Sequence, residues 1–130
     1  HHWNELLKFS RRSEYTMNRW AARYGYEHTP KAIMDKAKKG GNGRYAAVNL
    51  CNYHTVEFRL FRGTLKYNTF IATIQLVNHI CDVAMYNTDD SIAKLSWLDF
   101  VADITEPELI QYLKERQLYI NEEVQTEEEM

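Results

Sequence analysis

The stretch that most constrains the fold runs from Thr69 to Tyr86, where Phe70, Ile74, Val77, Cys81 and Ala84 recur at the spacing of one helical face. Ile71, Ile80 and Val83 widen that stripe, so the spacing predicts a long helix with a broad apolar side. Such a helix needs a surface to cover it, and the residues before it supply one. RYAAVNL from Arg44 and TVEFRLFR from Thr55 are two β-rich runs joined by Cys51-Asn52-Tyr53-His54, the pattern of an antiparallel hairpin. Val56, Phe58 and Leu60 share one face of the second run, and Ala46, Val48 and Leu50 share one face of the first. Opposed residues of an antiparallel pair lie on the same face, so even positions must pair with even ones. Leu50 opposite Val56 satisfies this. Asn49 then falls opposite Glu57 and Ala47 opposite Arg59, with Arg44 near Arg62 at the far end. The expected architecture is α+β: an antiparallel hairpin whose apolar face packs on a long central helix, with further helices around it.

Those further helices have their own signals. Trp3, Leu6 and Leu7 give one stripe of a helix from Trp3 to Arg12, and the helical register continues from Ser13 to Tyr24, with Ser13 either the N-cap of a second helix or the middle of one longer helix. Gly25 suits its end, Thr29-Pro30 opens a short helix to about Lys39, and the glycines at 40, 41 and 43 stop it. Beyond the long helix, Ser91 to Asp103 is weakly helical, and Thr105-Glu106-Pro107 starts a last helix to about Leu118. The span 1–120 reads as one domain, and residues 121–130, with five Glu, read as an acidic flexible tail.

Composition narrows the function classes. With 130 residues, 45% apolar and 26% charged, the chain has the balance of one soluble domain. It contains no apolar run of the roughly 20 residues that a membrane helix needs. Cys51 and Cys81 stand apart without a C-x-x-C pairing, which argues against a zinc framework or a secreted disulfide scaffold and for a reducing cytoplasm. His1 and His2 are read either as native residues or as the end of an affinity tag and are given no chemistry. His28, His54 and His79 are scattered, and His79 is expected to be a satisfied, partly buried side chain. Residues 1–65 hold 12 Lys and Arg against 5 Asp and Glu, whereas residues 66–130 hold 4 against 13, a split of +7 and −9. The basic half can meet phosphate, a carboxylate, nucleic acid or the chain's own acidic half.

Glu57-Phe58-Arg59, with Arg62 three residues on, is the sharpest chemical feature. A carboxylate and a guanidinium two residues apart on a strand face the same side, where one can touch a hard cation and the other an anion. Phosphoryl transfer needs that layout, and a plain surface ion pair produces it too. The run Lys38 to Arg44 likewise admits two readings, a phosphate-cradling lid or a glycine-rich turn, and it lacks the P-loop spacing.

LLKFSRR, RYAAVNLCNYHTVEFRLFRGTL and the apolar helix after them together resemble the amidoligase family, of glutamine synthetase and glutamate-cysteine ligase type fold. Arg44, Asn49, Leu50, Thr55, Glu57, Phe58, Arg59, Gly63 and Thr64 match its pattern in order, and the resemblance covers roughly residues 3 to 87. It implies an ATP-dependent carboxylate-amine ligase that forms an amide bond through an acyl phosphate. Glu57 would then be a catalytic ligand of magnesium or manganese, and Arg59 would hold the γ-phosphate or the substrate carboxylate. Arg44 and Arg62 would meet nucleotide phosphates, Asn49 would orient Glu57 or contact a ligand, and Arg12 would offer a second anion contact. The implied partners are a nucleotide and a carboxylate and amine pair, a peptide or protein among them, with an oligomer compatible. The family's upstream E-x-E carboxylate pair has no counterpart in residues 1 to 56, so the chain resembles the C-terminal portion of such an enzyme and is expected to be inactive alone. The alternative is a non-catalytic binding or assembly module, for nucleic acid or protein, that keeps the fold.

Overall fold

A computed structural model describes residues 2–21, 31, 38 and 46–119. The expected helix opened by Thr29-Pro30, the Gly25 cap, the lid beyond Lys38, Arg44 and the acidic tail all lie outside the described residues. Among those described, the elements are helices α1 (Trp3–Ser10) and α2 (Glu14–Trp20), strands β1 (Val48–Asn49) and β2 (Glu57–Phe58), and helices α3 (Tyr67–Tyr86), α4 (Asp89–Lys94), α5 (Trp97–Ala102) and α6 (Pro107–Glu115). The protein is therefore a mixed helical structure with a small two-stranded antiparallel sheet. It divides into two compact units, residues 6–62 and residues 1–5 with 63–130.

In the unit formed by residues 6–62, helix α1 ends because Arg11 takes a left-handed backbone, φ 61°, directly after Ser10. The Ser10 hydroxyl donates to Leu7 O at 2.7 Å and accepts the Arg12 N–H at 3.1 Å, which fixes the corner between the helices. Of the two readings of Ser13 the structure has the cap, its hydroxyl accepting the Thr16 N–H at 3.2 Å at the start of α2. The core of this unit is made of Phe9, Met17, Ala21, Ala46, Ala47 and Leu60, with Phe9 edge-on to Phe61 at 5.7 Å.

The strands pair in the register that the parity argument requires, Val48 opposite Phe58 and Asn49 opposite Glu57. The Arg59 N–H extends the ladder to Ala47 O at 2.8 Å. The ladder is shorter than the two β-rich runs because the Asn49 side-chain oxygen accepts the Cys51 N–H at 2.9 Å, turning the chain out of the strand as soon as the pair is made. Residues 50–56 consequently form an open loop, and Val56, expected on the packed face, is 55% exposed while Leu60 is buried.

In the other unit, α3 packs on α6. The face of α3 that is buried is Thr69, Ala72 and Leu76, not the expected stripe of Phe70, Ile74, Val77, Cys81 and Ala84. Phe70 and Ile74 are 53% and 52% exposed. The physical reason is closeness of approach: small side chains at 69 and 72 let α6 come near enough to bury Leu109, Tyr112 and Leu113, and α5 and the following turn add Val101 and Ile104. Gln75, on that same face, accepts the Leu109 N–H at 3.0 Å and so caps α6 from a neighbouring helix. The expected helix over 91–103 is two helices, each with its own N-cap, Thr88 for α4 and Ser96 for α5. Helix α6 starts at Pro107 as expected and closes with Gln117 left-handed, φ 56°, and the Leu118 N–H returning to Leu113 O at 2.8 Å. His79 is half-buried, and its Nε2 donates to Phe100 O at 2.6 Å, the satisfied role expected of it.

Candidate functional site

The candidate site grows from the register of the two strands. Because Asn49 stands opposite Glu57, the buried Asn49 side chain donates through Nδ2 to Glu57 Oε1 at 3.3 Å. Two residues along the same strand face, an Arg59 guanidinium nitrogen reaches that same oxygen at 3.3 Å. One carboxylate oxygen is thus held by two donors. The carboxylate is oriented by these two donors and stays partly open to solvent, its side chain being 42% exposed.

Arg59 is itself held from a second side, its Nε donating to Trp20 O at 3.5 Å in the last turn of α2. The corner between α1 and α2 brings further arginines to the chain leaving β2. Arg11 donates to Arg62 O at 2.6 Å, Arg12 to Phe61 O at 3.4 Å, and the Arg62 N–H to Ser10 O at 3.0 Å. This clamp carries Arg12 into the field of Arg59. Burial first, and then the Arg59 charge, pull the Arg12 pKa below its ordinary value. The Nε atoms of Arg11 and Arg12 are buried and have no hydrogen-bond partner among the described residues. Two guanidiniums in mutual repulsion, one carrying an unpaired buried donor, form a place where an anion lowers the energy.

Of the residues predicted from sequence, the structure brings together Asn49, Glu57, Arg59 and Arg12. Arg62 belongs to the clamp through its backbone, and its side chain is exposed. Arg44 lies outside the described residues. Arg11 and the Trp20 carbonyl were not singled out from sequence, since their part depends on a corner between helices that no short-range pattern encodes. The loop residues Leu50 and Asn52 to Val56, with Lys38, line a separate hollow of about 370 Å³ that contains neither Glu57 nor Arg59.

The donor set fits an anion better than a resident metal. Among the described residues no group of three or more His, Cys, Asp or Glu side chains stands together to hold a metal ion. The Asn49 oxygen is taken by the Cys51 N–H, which leaves Glu57 as the carboxylate at this point of the hairpin. A magnesium ion binds through one or two carboxylates only when other oxygens and water complete its shell, so Glu57 by itself does not make a resident metal site.

No family model, curated protein or solved structure matches the chain. The site's chemistry therefore rests on its own geometry. None of the described helices is long and apolar enough to cross a membrane.

Proposed function

We propose that the chain is an anion-binding module of an ATP-dependent carboxylate-amine ligase, with a glutamine synthetase-like fold of which the hairpin and α3 are parts. Arg12 and Arg59 would hold phosphate or carboxylate oxygens, and Glu57, oriented by Asn49, would meet the magnesium or manganese that the nucleotide carries. The observation that carries this reading is the placement of Arg12 within the field of Arg59, beside a carboxylate already oriented by two donors. In a ligase of this class, ATP transfers its γ-phosphoryl group to the substrate carboxylate and leaves as ADP, and an amine then attacks the acyl carbon, losing a proton as inorganic phosphate departs. Paired arginines suit the first step because charge accumulates on the transferred phosphoryl oxygens. One carboxylate does not fix a nucleotide-bound metal in reactive geometry, so ATP turnover by this chain alone is expected to be undetectable or very weak.

The test is calorimetric titration of the purified chain with ATP in the presence of magnesium. Arg59→Ala and Arg59→Lys should both weaken binding about tenfold or more, because a planar fork holds two oxygens where lysine offers a point charge. Parental affinity in Arg59→Lys would overturn the assigned role. A second reading is supported by the pairing of Glu57 with Asn49 and Arg59 inside the protein: a binding or assembly module for nucleic acid or protein, without catalysis. It predicts that Glu57→Gln leaves the magnesium dependence of binding unchanged, whereas the ligase reading predicts that this dependence is lost.

A further inference from the structure

We draw no further inference here: the strongest candidate, the hollow of about 370 Å³ between Lys38 and the loop after β1, is lined by side chains that apart from Leu50 are exposed, and nothing in the structure shows what covers it.

Discussion

The two units fix their chain by different kinds of donor. Around the hairpin, main-chain carbonyls are held by guanidiniums: Arg62 O by Arg11, Phe61 O by Arg12 and Trp20 O by Arg59. In the helical unit the corresponding work falls to neutral groups. Trp97 Nε1 donates to Leu118 O at 2.7 Å and Asn68 to Glu108 O at 3.2 Å. A neutral donor that meets a carbonyl is finished. A guanidinium that does so still carries its charge and has donors left over, so a region stapled by arginines retains an attraction for anions after it has folded. The difference teaches where chemistry is to be sought: in the unit whose cross-links are charged.

The largest test of that contrast concerns packing. Leu113, Leu109 and Leu76 are fully buried in the helical unit, whereas the hairpin unit fills much of its core with alanines at 21, 46 and 47. Leu113→Ala should therefore cost about 3 kcal/mol in urea denaturation, through lost transfer energy and the cavity left behind. A cost under about 1 kcal/mol would break the comparison, since α3 and α6 would then not be what holds that unit together.

A sharper test separates cap from charge at the N-terminus of α6. Gln75 accepts the Leu109 N–H and donates to Glu108 Oε2 at 3.0 Å, so Gln75→Ala orphans a helix N–H and should destabilise by about 1–2 kcal/mol. The hydrogen bond from Gln75, with one from the Glu108 backbone, holds the Glu108 carboxyl below its ordinary pKa. A carboxyl with a depressed folded pKa adds stability above its unfolded pKa, and that stability is lost as pH falls through the folded value. In Gln75→Ala, carbon-detected NMR titration should show the Glu108 pKa moving back up and the acid limb of the stability profile flattening. An unmoved Glu108 pKa would mean that the backbone alone sets it.

Parts of this arrangement are legible in the sequence because they follow from short-range rules. The register is fixed by parity, since only even-with-even pairing keeps Leu50, Val48, Val56 and Phe58 on one side. Pro107 announces the start of α6, whereas Ser13 alone does not decide between a cap and a continuing helix. The buried side of α3 was not legible. Periodicity marks the widest apolar face, but the face that packs is chosen by how closely a partner can approach, and Thr69 and Ala72 are the residues that permit it. The meeting of Arg12 with Arg59 is a tertiary event as well: it needs the Arg11 corner and the carbonyls of Phe61 and Arg62, forty-nine to fifty-one residues away in the chain.

The smallest test uses one backbone device that both units share. Arg11 and Gln117 each adopt a left-handed conformation after a helix, at φ 61° and 56°, and a side chain there costs roughly 1 kcal/mol that glycine avoids. Glycine also loses more freedom on folding, which takes back about half of the gain. Gln117 is exposed, so Gln117→Gly should stabilise the helical unit by about 0.5 kcal/mol. At Arg11 the same substitution removes the guanidinium that grips Arg62 O at 2.6 Å, a charge-assisted bond worth about 1.5–3 kcal/mol. That loss exceeds the relief of strain, so Arg11→Gly should destabilise by about 1 kcal/mol or more and weaken anion binding as the clamp around Arg12 loosens. Paired thermal melts of the two variants decide the matter by sign alone. Equal and positive shifts would show that the arginine staple adds nothing to the hairpin unit beyond what a bare turn provides.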